Sequence, residues 1–400
     1  MKLAIISDFH LGYERFAEDA FKQALEAMII ASAEADAILL PGDLFDAKIS
    51  KPEVIAQALA IFRVPLERKW GSRLASFSAR DGRKNICSAP VLGIHGTHEM
   101  RAKPLVNPVQ ILEQGGFLVN CQSATAMLEK GGEQVAVSGM GGVPEKQAKS
   151  VLEALEPKPA PGAFNVFMFH QNIHELIPVG EGNLGMEDLP DGFDLYVCGH
   201  MHKRLFKRFG GKLLVIPGST VVTQLKKEEE EGKGFYLFDT KTGSCEFRSI
   251  STRPFFYREI ALKDAGADDA VAAARSAAKE ILASGKPNPV IRIKLTGTLR
   301  KGVSPSSVSF NGLVAELAGK AVLSIDKAFE SSDLRKKILE MRALREKGVS
   351  ARELGMEILR ERLKQNGFRL DVDINSLFES LAGGKRGAVD AVLSEILKSS

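Results

Sequence analysis

Thiol chemistry is nearly missing from this sequence. Its 400 residues hold four cysteines, Cys87, Cys121, Cys198 and Cys245, far apart and without paired spacing. That excludes a disulfide framework and a thiolate zinc site, and predicts reduced, buried thiols. Long hydrophobic runs are missing as well. None approaches a membrane span, and the apolar start is interrupted at Asp8, too early for a secretory signal, so the expected setting is cytoplasmic with no membrane contact. Strong charge of one sign is also absent: the net charge is +4, too mild for the average to indicate a partner. There is no internal repeat and no low-complexity tract. Histidine is absent from residues 203–400.

What is present is one recurring pattern. Four or so apolar residues are followed by Gly or a small polar residue and then by Asp or His, as in LAIISDFH (3–10), AILLPGD (37–43), VLGIHGTHE (91–99), NVFMFHQ (165–171) and LYVCGHMH (195–202). Such runs, separated by helical patterns such as 16–34, read as strands buried on both faces of an α/β sheet, with ligand-type residues at the strand ends. The proline-rich EPKPAPG (156–162) reads as a loop within the first domain. From residue 255 a second, small α/β domain without histidine is expected: strands at 255–262, 290–297 and 320–326, helices at 266–283 and 306–318. From 332 the chain reads as helical, with Ser332 and Ser350 as N-caps and apolar stripes at Leu354, Ile358, Leu359, Leu363 and at Val389, Val392, Leu393, Ile396.

Six of the seven histidines stand at or just beyond the expected strand ends, together with Asp8 and Asp43. Alternation along an extended chain would put Asp8 and His10 on one side, within reach of one cation. Carboxylate and imidazole without thiolate suit manganese, iron or zinc, and eight such groups are too many for one ion. Two ions are implied. Asp43, after the Gly42 turn, is the natural bridge, and two cations about 3.5–4 Å apart suit in-line displacement at phosphorus. The chemistry indicated is phosphoester hydrolysis.

These residues carry a resemblance. D-x-H (Asp8, His10), G-D-x-x-D (Gly42, Asp43, Asp46), G-x-H-E (Gly96, His98, Glu99), His170 and G-H-x-H (Gly199, His200, His202) resemble the ordered motifs of the calcineurin-like metallophosphoesterases. Within that superfamily, DFHLGY, GDLFD, HGTHE, GHMHKR and EGKGFYLFD are similar to the nuclease subunit of the archaeal and bacterial double-strand-break repair complex, the SbcD-type DNA repair exonucleases. The resemblance implies an α/β sandwich of sheets flanked by helices at 1–252, an α/β capping domain at 253–330 that helps present DNA, and a helical region at 331–400 that binds a coiled-coil ABC-type ATPase. It further implies a manganese-dependent nuclease, with iron, zinc or magnesium as substitutes, acting as an exonuclease and conceivably a single-strand endonuclease in a prokaryotic, nucleoid-associated setting, with a homodimer as the expected assembly.

By that resemblance one ion would be held by Asp8, His10, Asp43 and His202, and the other by Asp43, His170, His200 and an amide from the third motif. Thr97 stands where the family has asparagine. A hydroxyl is a poorer ligand, so the second ion is weakly bound, uses Thr97 with water, or recruits His95, which otherwise reads as a strand-end residue. His98 resembles the non-ligand histidine that protonates the leaving oxygen, with Glu99 or another acid orienting it. Asp46 reads as a supporting or cap residue and His174 as a surface or supporting one.

Basic residues concentrate at 63–84, seven against two acids around the only tryptophan, Trp70, and at 203–212, five with no acid. Arg68, Lys69, Arg73, Lys203 and Arg204 are candidates for sequence-independent contact with DNA phosphates. Two rival functions remain: a calcineurin-like phosphatase or phosphodiesterase on a non-DNA substrate, and a metal-poor scaffold that tethers DNA ends.

Overall fold

The structure, a computed structural model, describes residues 1–102, 104–177 and 184–330, with isolated positions beyond. The first strands and helices alternate: β1 (Lys2–Ile5), α1 (Ala17–Glu34), β2 (Ala37–Leu40), α2 (Pro52–Leu66), β3 (Arg73–Ala79), β4 (Val91–Gly93), α3 (Pro108–Gln114) and β5 (Val119–Asn120). There follow β6 (Ala124–Lys130), β7 (Glu133–Met140), α4 (Ala148–Leu155), β8 (Phe164–Phe169), β9 (Leu195–Cys198), β10 (Leu205–Phe209), β11 (Lys212–Ile216), β12 (Gly234–Asp239) and β13 (Cys245–Ser249). Last come β14 (Phe255–Ala265), α5 (Ala267–Ala283), β15 (Val290–Leu299), α6 (Asn311–Leu317) and β16 (Val322–Glu330).

Two sheets build the first part of the chain, ordered β13-β12-β1-β2-β4-β5 and β10-β11-β9-β8-β7-β6-β3. Their inner faces share one core, in which Ile5, Leu39 and Leu92 of the first meet Val137, Val166 and Val197 of the second. The period of two along a strand is visible in β8. Val166 and Met168 enter this core, while Phe167 and Phe169 point the other way, into a second cluster with Leu152 of α4. Burial on both faces is why the sequence runs are continuously apolar, each large side chain contributing about 1.5–3 kcal/mol. In α1 the alanine-rich stripe Ala20, Ala24, Ala27, Met28 and Ala31 is buried, and Glu18 and Asp19 complement the dipole of its first turn.

β1, β2 and β4 run parallel in one sheet, and β7, β8 and β9 in the other. Parallel strands end together, so the loops at 6–12, 41–46, 94–99, 170–172 and 199–202 leave from the carboxyl ends of their sheets, where α/β folds place ligands. The expected sandwich is therefore present.

The chain divides into two compact units: residues 1–258 with 279–292 and 317–324, and residues 259–278, 293–316 and 325 onward. The strands β14-β15-β16 form a three-stranded sheet in that order. In α5, Ala270, Ala274, Ala278 and Ile281 are buried, a stripe at helical spacing. The helix expected from 306 starts later, at Asn311. Ser304 and Ser307 tie the preceding residues into a turn, Ser304 Oγ accepting from the Ser306 N–H and Ser307 Oγ donating to the Ser304 carbonyl, which competes with helical hydrogen bonding. EPKPAPG is a loop as expected, and Cys87, Cys121 and Cys198 are buried free thiols, with Cys245 half-buried. Among the described residues no helix is long and apolar enough to cross a membrane. The expected C-terminal helices and their stripes lie outside the described residues.

Candidate metal centre

Asp8 and His10 do come together, but not by strand alternation. β1 ends at Ile5, and Asp8 and His10 have φ of 54° and 48°, in the left-handed region. Asp43 (49°) and His200 (75°) share that conformation. Each costs a non-glycine residue about 1 kcal/mol or more, and four such residues in one cluster mark a functional site. Backbone bonds across the loops hold the kinks: Asp8 N–H donates to the Gly42 carbonyl at 3.2 Å, and His10 N–H to the Asp43 carbonyl at 3.1 Å. Gly42 itself has φ of 98°, and a Cβ there would lie 2.5 Å from His170 Nδ1. No other residue fits that turn.

Among the described residues three groups of ligand-type atoms result: Asp8 with His10 and His202; Asp43 with His170 and His200; and His10 with Asp46 and His98. In the first, His10 Nε2 and His202 Nε2 face each other at 3.1 Å, and both lie within 3.8 Å of Asp8 Oδ1. The Nδ1 atoms point away, that of His10 to Asp46 Oδ1 at 3.1 Å and that of His202 to Thr223 Oγ1. With hydrogens on both Nδ1 atoms, two lone pairs and a carboxylate converge on one point. Both Asp8 carboxylate oxygens are buried without a hydrogen-bond partner. A divalent cation satisfies all of these groups at once.

The second group has the same character. His170 Nδ1–H donates to the Pro41 carbonyl at 2.6 Å, which turns Nε2 toward Asp43 Oδ2, 3.1 Å away without hydrogen-bond geometry. Asp43 Oδ1 accepts from the His98 N–H at 2.9 Å. Electrostatics record the same crowding. Burial alone would raise Asp43, but the His170 imidazole outweighs it and holds the carboxyl far below the usual range. Burial likewise opposes a proton on His170, and Asp43 overcomes it, lifting that imidazole to about 9. His200 is pushed down to about 4 by burial and by His170, so it is already neutral.

A prediction follows from these signs. At pH 7.5 the metal-free His170 carries a proton that a cation must displace. Calorimetry in buffers of different ionisation enthalpy should show close to one proton released at this cluster, falling away as pH rises through about 9. For the metal-free fold the sign is reversed: a raised histidine contributes stability that is full below about 6.5 and is lost as pH climbs through about 9. Uptake without proton release at pH 7.5 would contradict the assignment.

The remaining candidates divide. His98 is half-exposed beside the first group, its ring 4.9 Å from that of His10, with Nδ1 3.0 Å from the Asp46 carbonyl and 3.5 Å from Asp46 Oδ1. Of the acids that could orient His98, the structure supplies Asp46. Glu99 is turned inward instead, accepting from the Phe45 and Gly96 N–H groups at 2.8 and 2.7 Å. Burial and the nearby Asp43 push its pKa up to about 8. Thr97 Oγ1 is 3.4 Å from His200 Nδ1, on the edge of the second group. His95 joins none of the three groups, and burial lowers its pKa to about 4. His174 also joins none of them.

The basic candidates are not gathered at one place. Arg73 opens β3 opposite Glu129, with which it pairs at 2.6 Å, and this end of the sheet is where β8 begins rather than where His170 follows it. Arg68 and Lys69 lie just before it, Arg68 stacking 4.9 Å from Trp70. These three are therefore at the opposite strand ends from the metal-ligating groups. The apolar runs between them span the sheet, which sequence proximity to the motifs conceals. Lys203 is exposed beside His202, while Arg204 stacks 4.1 Å from Phe247 and faces Glu231 at 3.7 Å.

Three participants were not legible beforehand. The Pro41 carbonyl and the Thr223 hydroxyl orient histidines, the first being backbone and the second a residue type common anywhere in a sequence. Glu145 Oε1 lies 3.9 Å from His200 Nε2. It could have been found, since VAVSGMGGVPE (135–145) repeats the pattern of apolar run, glycine and acid.

Residues 1–204, half of the chain, match the calcineurin-like phosphoesterase family, and the chain belongs to it. Divalent metal ions are what the clusters above suit in this family. Its relatives include proteins named for DNA double-strand break repair. The chain is 28% identical over 251 residues to "DNA double-strand break repair protein Mre11" of Sulfurisphaera tokodaii, covering 58% of each chain. It is 27% identical over 321 residues to the protein of that name from Sulfolobus acidocaldarius, covering 76% of this chain and 77% of that one. "Double-strand break repair protein MRE11" of Coprinopsis cinerea is 28% identical over 323 residues, 67% of this chain and 44% of the relative. The chain thus spans about half the length of several curated relatives that it matches.

Proposed function

We propose that the protein is a DNA nuclease of double-strand break repair that hydrolyses phosphodiesters, as an exonuclease, with two manganese ions. The observation that carries this reading is the pair of ligand groups Asp8-His10-His202 and Asp43-His170-His200, in which both Asp8 carboxylate oxygens and His170 Nε2 are buried without a hydrogen-bond partner. Asp43, held against the His98 N–H, is the carboxylate that would be shared between the two ions. The substrate class rests on the Mre11 relatives.

Bound divalent ions would supply Lewis acidity to the phosphoryl oxygens and an activated water. Everything else falls to the chain. The four left-handed residues hold the ligands in place before substrate arrives, so little reorganisation is needed at the moment of reaction. His98, with Nδ1–H donating to the Asp46 carbonyl, keeps Nε2 free and solvent-reachable. As water attacks phosphorus and gives up one proton to solvent, the P–O bond to the leaving oxygen breaks and that oxygen takes the proton carried by His98 Nε2. Lys203, exposed next to His202, is the nearest basic candidate for a flanking phosphate; Arg204 is engaged by Glu231. Arg68, Lys69 and Arg73 would serve only a duplex that extends to the far end of the sheets.

The same reading takes residues 1–252 as the nuclease domain, 253–330 as a cap that presents DNA, and 331–400 as the segment that binds a coiled-coil ABC-type ATPase, in a homodimeric, prokaryotic assembly. For His98→Ala, cleavage of linear duplex DNA in millimolar manganese should fall about 10²–10⁴-fold while metal content is unchanged. An undiminished rate with both ions retained would remove His98 from the reaction. The substrate is tested by the same assay on the wild type beside a small phosphodiester: turnover of the small ester alone would overturn the nuclease reading and favour the phosphodiesterase.

A further inference from the structure

Each imidazole that ligates through one nitrogen carries hydrogen on the other, and that hydrogen needs an acceptor to fix the ring. Three of the four candidate ligand rings have one: His170 the Pro41 carbonyl, His10 Asp46, and His202 Thr223. For His200 the neighbours divide between its two edges. Thr97 Oγ1 is 3.4 Å from Nδ1, and Thr97 immediately precedes His98, whose N–H is bonded to Asp43. Nδ1 is thus on the Thr97 side, and a ring nitrogen of His200 lies within 4.8 Å of the ligand atoms of Asp43 and His170.

Nε2 looks toward Glu145. This residue opens a short 3-10 turn, Glu145–Gln147, after β7, and no motif of the family reading includes it. Its Oε1 is 3.9 Å from Nε2 and accepts from Asn172 Nδ2–H at 2.9 Å. Its Oε2 is buried and has no hydrogen-bond partner. A carboxylate oxygen withdrawn from water and left unpaired is costly, and a rotation that brings it to Nε2–H would satisfy both groups.

We infer that Glu145 is a positioning residue for the second cation: it accepts the Nε2–H of His200 and so presents Nδ1 to the ion shared with Asp43 and His170. The inference rests on the two-cation reading above. It also supplies what the third motif lacks. With Thr97 in place of an amide donor, the second ion depends more heavily on His200 being held in one tautomer and one orientation.

The test is titration of manganese into the metal-stripped full chain, followed by calorimetry and by the electron paramagnetic resonance of the bound ions. The wild type should take up two ions and show the exchange-coupled spectrum of a close pair. Glu145→Ala should keep the first ion, bind the second about 10–100-fold more weakly, and lose the coupled spectrum at limiting metal. Glu145→Gln should restore most of the affinity, because its amide oxygen accepts the same hydrogen. Metal-free thermal melts of all three should coincide. Should the alanine variant melt early, Glu145→Asp, which withdraws the carboxylate by one methylene, should weaken the second ion alone. Two ions bound with wild-type affinity by Glu145→Ala or Glu145→Asp would overturn the inference while the two-cation reading stands. A wild type that binds a single ion would overturn both.

Discussion

Replacing Asp43 by asparagine is expected to lower phosphodiester hydrolysis about 10³-fold or more, roughly 4 kcal/mol of transition-state stabilisation at 1.36 kcal/mol per decade. The effect is large because one residue is asked to do three things, two of them through its carboxylate. It faces His170 at 3.1 Å within the second group, it accepts the His98 N–H at 2.9 Å, and its backbone carbonyl receives the His10 N–H at 3.1 Å. Asparagine keeps the shape and can retain the bond from the His98 N–H, so the loop should stay in place. What it loses is the negative charge, the only one in the second group, against two mutually repelling cations. Metal analysis should then show the second ion depleted, and the circular dichroism of the metal-free variant should match the wild type. A rate within tenfold of wild type, with two ions bound, would rule out Asp43 as the bridge. The variant also reports on the metal-free protein: without Asp43, the proton on His170 has lost its main support and the loss of stability near pH 9 should disappear.

Glu229→Ala is expected to lower stability by about 3–5 kcal/mol. Glu229 and Lys233 form an ion pair at 2.9 Å in which both side chains are 4% exposed. The carboxylate also accepts the N–H groups of Thr223 and Gln224, each at 3.0 Å, and Lys233 donates to Ser219 Oγ at 2.9 Å. Removing the acid leaves a buried ammonium without its counter-charge and the backbone donors of Thr223, Gln224 and Lys226 unpaired. Lys233→Met should cost less, since Glu229 keeps its backbone partners and methionine fills the space, and Glu229→Leu with Lys233→Met should cost less than the two single changes added together. Thermal melts of the metal-free variants measure all three. The consequence reaches the site through Thr223, whose hydroxyl holds His202 Nδ1, so the first ion should also bind more weakly in Glu229→Ala. A melt within a degree of wild type would show that the pair is not buried in the folded protein.

Comparison of particular residues shows why some of this was readable and some was not. The strands were legible because burial on both faces leaves no room for polar residues, so LAII, AILL and LYVC announce themselves without any knowledge of their neighbours. The candidate ligands stood out for a related reason. An acid or imidazole directly after such a run has no local structural purpose, and its side chain must be accounted for by something bound. The position of Arg68, Lys69 and Arg73 was not readable, because charge on a surface carries no record of which end of a strand it occupies, and β3 pairs at the edge of a sheet assembled from residues far away in sequence. Glu99 and Asp46 could not be ranked as partners of His98 for a similar reason: the choice depends on which way a three-residue loop turns, and Gly96 lets it turn so that Glu99 caps the loop from inside.

By itself, then, the order of residues determined the strands, the kind of ligand at each strand end and the class of chemistry, because these depend on local composition and on short-range alternation between apolar and polar positions. Tertiary structure alone decided which histidine nitrogen faces a carboxylate, that left-handed turns rather than alternation bring Asp8 to His10, and that Glu145 lies beside His200. Those outcomes depend on contacts between segments separated by tens to hundreds of residues, where hydrogen-bond direction and the exclusion of water, not residue type, select one arrangement.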